Sequence, residues 1–508
     1  MDDLGLFDQL FYKADQYNVL SAVMGGASIL EPAGSDSPLN GEAIAGHLAN
    51  RMGRIPLLRN KFIQDPLLLG TVRKVEDPDF DIWDHIFIET LPAPGNYLQL
   101  SQRLAQLSAT PLALSQMWHW TVIEGLEGGK LAVMCNIHHA IADGVGMVEA
   151  LNSIYDISPV APEEPDFSVR EVQPVPGKLR LLRHALIESG ERVLIKTPRF
   201  LLKNTGPILG ALGKGVKDKL AADKDTGNKP MMPDVGLTSL NINAYSDHRT
   251  LSWKTLPLPL IKKLAKRFGV TVNDVGLLLY SYAMEHYFTQ TGEDIDFDLW
   301  CGMPVSTRDD NSTTGGNKVT VGRICLHNTI SDPIQRLAAI HADAQEIKHA
   351  KRPETPIVDA EELASLLFPI AIDATMFLAG KLDLMGRFGN SLLLANGLFS
   401  NVPGPRLPVY VANGRMAESI PMIPAVNILA VSGGITSVDQ SITIGFLCDG
   451  AVVENPDLFV QGIDYCMKGL SKASAGKNKV AANARPRKRA SIKAKARTKT
   501  RARKAGAV

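Results

Sequence analysis

Two adjacent histidines, followed after three residues by an acid and a glycine, form the most chemically capable stretch of the chain: Asn136-Ile137-His138-His139-Ala140-Ile141-Ala142-Asp143-Gly144. An imidazole titrates near neutral pH, so it can take a proton from an alcohol as that oxygen attacks a carbonyl. It can then return the proton to a leaving thiolate, at a typical gain of about 10²–10⁴-fold in rate. The chemistry in view is acyl transfer to a hydroxyl, with separate donors needed for the oxyanion. Gly144 permits a tight turn or a close approach of neighbouring atoms. Two other readings stay open at this point. The imidazoles can satisfy local backbone groups, or they can bind a metal; two histidines and one acid do not complete a ligand set, and no metal ligand is assigned.

The histidines need a frame. Leu131 to Ile137 is the clearest strand, a short run of Val, Ile and Cys between Gly129-Lys130 and the polar cluster, and Val145 to Ile154 reads as the helix that follows. Leu57 to Phe62 is strand-like, Pro92 to Gly95 a turn, and Tyr97 to Leu107 a helix. Pro159 to Asp166 is acidic and proline-rich, which marks a boundary. Lys178 to Lys219 reads as a crossover of short basic helices with Leu and Ile between the charges, and Asp223 to Asp234 as a loop. Beyond Leu237, helices are expected over Leu260 to Phe268, Asn273 to Tyr287, Ser331 to Lys348 and Asp457 to Leu470. Phe297 to Val305, Val409 to Ala412 and Ser441 to Phe446 read as strands, and Asp309 to Asn317 as a polar loop. The mixture points to layers of sheet and helix, built twice.

Composition narrows the function classes. The 508 residues are 45% hydrophobic and 21% charged, which excludes a wholly disordered chain. The formal charge of +1 hides an asymmetry: Ser471 to Val508 holds 14 Lys/Arg and no acid, leaving a balance of −13 on the rest. That tail reads as disordered and electrostatically adhesive, without a base-reading element, so a nucleic-acid function is not expected. Five cysteines without a CxxC pair read as reduced, buried thiols. Met1-Asp2-Asp3-Leu4 lacks the positive start of a secretory signal. Leu363 to Leu378, the longest apolar candidate for a membrane span, is broken by Pro369 and Asp373. A cytoplasmic protein is expected, one face of which can touch a bilayer.

The motif from His138 to Gly144 resembles the HHxxxDG signature of the bacterial wax ester synthase/diacylglycerol acyltransferase family. Further segments match that family in order: Pro92 to Gly95, Trp118 to Leu126, Asn273-Asp274, Met303 to Ser306 with Arg308 and Gly316-Asn317, Asp332-Pro333 with Arg336-Leu337, and Asn401 to Pro405. They cover roughly residues 1 to 470. Three departures are visible: Gln116-Met117-Trp118 replaces the family's Pro-Leu-Trp, Pro424 to Ser432 with Asn427 fits the late GxGLN segment poorly, and the linker near Lys178 to Lys219 is longer and more basic than the family minimum.

The resemblance implies an α/β fold of two chloramphenicol acetyltransferase-like domains, each a mixed sheet with flanking helices, with a substrate channel between them. By it, residues 1–160 form the N-terminal domain, 161–236 the basic linker, 237–470 the C-terminal domain and 471–508 the tail. His139 would be the general base, His138 would support the turn or the acceptor, and Asp143 would orient structure. Asn273 would help the oxyanion or cap its helix. Arg308 would meet a CoA phosphate or pair with Asp309, and Asn401 and Gly404 would line the channel or lock a domain edge. The implied reaction has no prosthetic group: long-chain acyl-CoA acylates diacylglycerol or a long-chain alcohol at a peripheral membrane or lipid-inclusion surface. A condensation-type enzyme with a carrier-bound donor, or a non-catalytic lipid-binding protein, is the alternative.

Overall fold

A computed structural model describes residues 2–34, 38–113, 115–141, 153–160, 174–196, 198–199, 235–242, 246–306, 319–349, 369–384, 395–424 and 428–475. The N-terminal half supplies β1 (Asp2–Asp3), α1 (Leu6–Gln16), β2 (Val23–Pro32), α2 (Gly41–Gly53), β3 (Asn60–Ile63), β4 (Arg73–Glu76), β5 (Ile86–Thr90), α3 (Tyr97–Ala109), β6 (Trp118–Glu124) and β7 (Leu131–His138). After α4 (Lys178–Glu191) come β8 (Arg249–Pro257), α5 (Leu258–Phe268), α6 (Val272–Thr291), β9 (Trp300–Ser306), β10 (Val319–Cys325), α7 (Pro333–His349) and α8 (Pro369–Lys381). The chain then forms β11 (Gly397–Val402), β12 (Tyr410–Val411), β13 (Gly414–Met422), β14 (Val431–Val438), β15 (Ser441–Asp449) and α9 (Asp457–Ala475).

The strands make two six-stranded mixed sheets, ordered β12-β13-β2-β7-β6-β5 and β10-β9-β11-β14-β15-β8, with β1-β4-β3 as a small third sheet. The β5–β6, β9–β11 and β11–β14 pairs are parallel; the other pairs in the two large sheets are antiparallel. The first sheet is not built from the N-terminal half alone. Gly414 to Met422 pairs along β2, so a hairpin from late in the sequence completes it.

Alternation along β7 sorts its side chains between two cores. Leu131, Val133, Cys135 and Ile137 pack with Ile44, Leu48 and Met52 of α2, whose spacing puts them on one helical face. Ala132 and Met134 face the other way, into a cluster that contains Leu100 and Leu104 of α3 with Trp253, Ile420 and Leu447 from beyond residue 237. This second cluster joins the halves. The C-terminal sheet has its own core around α6, where Leu277, Tyr280 and Met284 are buried among Phe399, Phe446 and Phe459.

Glycines let the sheets approach. A Cβ on Gly445 of β15 would stand 2.6 Å from the Pro421 carbonyl oxygen, and one on Gly434 of β14 would stand 2.8 Å from Ile423 Cγ1. In β2, a Cβ on Gly25 would meet the Cys135 carbonyl at 2.6 Å.

Most expected elements are present with shifted ends. The Leu57 to Phe62 strand is half right, since Pro56–Arg59 is a 3₁₀ turn and β3 begins at Asn60; Pro56 fixes the backbone for the turn. The expected helix over Val145 to Ile154 lies outside the described residues except for its last two positions, and the Asp309 to Asn317 loop lies wholly outside. Helix α9 extends to Ala475, past the expected domain end. All five cysteines are buried and unpaired.

Gly445→Ala is expected to lower unfolding stability by about 1–3 kcal/mol, because the methyl meets backbone that cannot turn aside. Gly46→Ala, in α2 with nothing within 4 Å of the new atom, should instead be neutral or stabilise by up to about 1 kcal/mol. Paired urea titrations decide it; equal effects would rule out the close-approach explanation.

Candidate active site

His138 ends β7 opposite Val23 and has no exposed surface. The Ala140 amide donates to its Nδ1 at 3.0 Å, and the Ile141 amide donates to its carbonyl at 3.0 Å, closing a turn. A ring that accepts at Nδ1 carries its neutral-form proton on Nε2. That nitrogen lies 3.7 Å from Asp15 Oδ2 of α1. His138 is therefore a turn residue.

His139 comes next and is only half-buried. Its amide donates to the Ala22 carbonyl at 2.8 Å, continuing the β2–β7 ladder by one residue. Asp15 Oδ1 in turn accepts from the Ala22 amide at 3.1 Å. The ring stacks on Phe11 of α1, with centroids 4.3 Å apart and planes 25° from parallel. Tyr12 meets the edge of His138. Helix α1 thus holds both rings, although Phe11, Tyr12 and Asp15 carry no motif that marks them in the sequence.

A buried ion pair ties α1 down. Lys13 Nζ lies 2.6 Å from Asp373 Oδ1 of α8, with side chains 3% and 4% exposed. Tyr17 Oη donates to Asp373 at 3.0 Å, and Gln64 Oε1 accepts from Lys13 at 2.6 Å. Burial pulls the Lys13 ammonium below the usual lysine range, against the hydrogen bond and charge of Asp373. Burial, with Asp373 second, pushes the Tyr17 hydroxyl up to about 12. Asp373, which broke up the apolar run as a membrane span, is an inward-facing ion-pair partner.

Between the halves lies a cavity of about 240 Å³ whose walls include Asp15, Met24, Asn136, Arg249, Met422 and Leu447. Asn136 is two residues before His138 and donates to the Leu107 carbonyl of α3 at 2.8 Å. The cavity therefore abuts the strand end that carries the histidines.

The structure brings two other expected site residues together. Asn401 Nδ2 of β11 donates to Asn273 Oδ1 in the first turn of α6 at 3.0 Å. The alternative that Asn273 caps α6 is corrected: Thr271 Oγ1 accepts from the Asp274 amide, and Asp274 accepts from the Thr271 amide at 2.8 Å. Asp274, fully buried, also bonds His341 Nδ1 at 2.7 Å. Gly404 sits against the Ser437 carbonyl, and Pro405 accepts from the Asp439 amide at 3.0 Å, contacts that lock the loop to the β14–β15 hairpin. Trp118, at the departure from Pro-Leu-Trp, is core: its Nε1 donates to the Leu58 carbonyl at 2.7 Å and its ring stacks on His85. Asp143, Gly144, Arg308 and Asn427 lie outside the described residues.

Two joined mixed sheets, with a histidine turn at the end of a buried central strand, are the frame of the chloramphenicol acetyltransferase-like acyltransferases. A solved wax ester synthase/diacylglycerol acyltransferase from Marinobacter aquaeolei VT8 is similar, with TM-score 0.63 and 18% identity over 94% of this chain and all of that one. So is the first condensation domain of the CDA synthetase, with TM-score 0.52 and 14% identity over 94% and 97% of the two chains. Residues 4–276 match the wax ester synthase/diacylglycerol acyltransferase catalytic domain, and residues 315–470 match the C-terminal domain of the same family. A probable diacylglycerol O-acyltransferase of Mycobacterium tuberculosis is 26% identical over 474 residues, covering 92% of this chain and 96% of that protein. The chain belongs to the wax ester synthase/diacylglycerol acyltransferase family and is an O-acyltransferase.

Asp373→Ala strands a buried ammonium and is expected to destabilise the protein by about 3–5 kcal/mol. The Lys13→Met/Asp373→Leu double variant should recover most of that loss, because it removes both charges from the interior. Denaturant unfolding of the three proteins checks this. A double variant as unstable as the single would mean that the attraction itself, rather than its desolvation, dominates.

Proposed function

We propose that this protein transfers the acyl group of a long-chain acyl-CoA to the hydroxyl of diacylglycerol or a long-chain alcohol, forming triacylglycerol or wax ester. The observation that carries the reading is the contrast between the paired histidines. His138 is sealed and hydrogen-bonded within its turn, whereas His139 keeps accessible surface just past the end of β7, three residues beyond Asn136, which lines the cavity. Family membership supports acyl transfer, and the relative's name supports diacylglycerol as an acceptor.

In this mechanism His139 removes the hydroxyl proton as the oxygen attacks the thioester carbon. The tetrahedral intermediate collapses, the C–S bond breaks, and the imidazolium returns the proton to the CoA thiolate. Transfer is direct, with no acyl-enzyme. Asn273, held by Asn401, is assigned as an oxyanion donor through its amide nitrogen, since its Oδ1 is occupied by the Asn401 bond. Residues 1–160 and 237–470 act as the two domains, with the Tyr410–Met422 hairpin crossing between them.

The same reading places the protein at a lipid surface. Among the described residues no helix is long and apolar enough to cross a membrane. Among the described residues, helix α4 attaches through Glu188 to Arg73 and through Ala185 to Gly70. Lys178, Arg180 and Arg183 are exposed, beside exposed Leu179 and Leu186. Cations flanking apolar side chains suit an anionic interface.

Purified protein with palmitoyl-CoA and either diacylglycerol or hexadecanol should release CoA and ester in equal amounts. His139→Ala should lower that rate about 10²–10⁴-fold with the fold intact. Absence of ester with both acceptors would overturn the assignment, and an unimpaired His139→Ala would overturn the base.

Changing Lys178, Arg180 and Arg183 together to Gln should weaken binding to anionic vesicles roughly 10²-fold, at about 1 kcal/mol per basic residue. Vesicle co-sedimentation measures it, and unchanged partitioning would remove α4 from the interface.

A further inference from the structure

A second polar cluster lies in the C-terminal half, on residues the transferase mechanism does not use. Asp298 precedes β9, Cys325 ends β10, and His327 follows in the next turn. One ligand-type atom from each lies within 4.8 Å of the other two. We propose that Asp298, Cys325 and His327 bind one zinc ion. No local spacing marks the set, since Asp298 is far in sequence from the other two and the chain has no CxxC pair.

Three observations support the assignment. The first is chemical. A free thiol, an imidazole and a carboxylate are the donor types of zinc sites, and the thiolate disfavours magnesium and calcium. Ligands held by one zinc at about 2.0–2.3 Å stand roughly 3.3–3.8 Å apart, so a contraction of about an ångström closes the set.

The second is the support behind the histidine. His327 Nε2 is bonded to Asp343 Oδ2 of α7 at 2.8 Å, which leaves Nδ1 as the nitrogen for a ligand. Metal-binding histidines habitually engage a carboxylate with their other nitrogen, which fixes the ring and raises its basicity. Asp298 is oriented likewise, since Oδ1 accepts from Thr329 Oγ1 at 2.7 Å.

The third is rigidity. Asn328 ties the turn to the segment before β9, accepting from the Leu299 amide at 2.7 Å and donating to the Phe297 carbonyl at 2.9 Å. Fully buried Arg336 donates to the Asn328 and Ile330 carbonyls at 2.8 and 2.7 Å. The ligands thus stand on a braced frame before any ion arrives, which reduces the ordering needed on binding.

The experiment uses the full-length reduced protein, stripped with a chelator and titrated with Zn(II) and Co(II). One zinc should bind per chain and raise the melting temperature. The Co(II) form should show a thiolate charge-transfer band that Cys325→Ser abolishes. Asp343→Asn should weaken zinc binding about 10–100-fold while leaving the ligands in place. Cys325→Ser should keep the far-UV circular dichroism and the transferase rate of the parent, so this result is independent of His139. Lack of saturable binding, or a thiolate band that survives Cys325→Ser, would overturn the site. So would an affinity unchanged in both Asp343→Asn and Asp298→Asn.

Discussion

Strand β2 is hydrogen-bonded along both edges, to β7 of its own half and to β13 from the far end of the chain. The position of His139 depends on that double pairing. The β2–β7 ladder ends at Val23 and His138, and its last bond runs from the His139 amide to Ala22. Strand β13 belongs to the first sheet and β14, the next strand in the chain, to the second, so β2 lies between the histidine strand and the hairpin that comes from the C-terminal half. Gly25 makes room at the crowded side, where any Cβ would collide with the Cys135 carbonyl. Close backbone approach and positioning of the candidate base are one constraint.

Buried charge acts on the same element from the other side. The Lys13–Asp373 pair holds α1, and α1 holds the rings of His138 and His139. Lys13 is driven below its ordinary range, so burial costs its ammonium more than Asp373 returns. Such a pair is weak as a source of stability but strict about geometry: either charge without the other is costly. An apolar contact could hold α1 with more freedom of register. The ion pair, with Tyr17 and Gln64 attached, fixes the helix against both halves.

This division explains what could be read in advance. Strand β7 is legible because an apolar run between polar ends can be a buried strand, and it extends from Leu131 to His138 much as expected. Helix α7 is legible because Asp332 accepts from the Gln335 amide just where Asp-Pro marks a start. The paired histidines are legible because their chemistry is local. By contrast β2, with Gly25 and Gly26 near its start, has a composition that argues against a strand, and only its neighbours make glycine the residue that fits. Phe11, Asp15 and Asp373 gain their roles from tertiary contacts between distant segments, which no local spacing records. The same holds for Asn273, whose residue type suits a helix cap until Thr271 is seen to occupy that role.

For an acyltransferase, this separation of tasks has an energetic consequence. A long acyl chain contributes about 0.8 kcal/mol per buried methylene, a large total that is nearly the same before and during reaction. Binding that is uniform in this way lowers the substrate concentration required but does not speed the chemical step. Rate must come from contacts made only as charge develops, and these require a base whose ring is already oriented. The features that orient His139 are the backbone bond to Ala22, the stack on Phe11 and the braced helix behind them. None needs a substrate to form. Under the proposed function, acceptance of varied chains and alcohols is compatible with one fixed geometry at His139, because uniform chain binding and orientation of the base are separate demands.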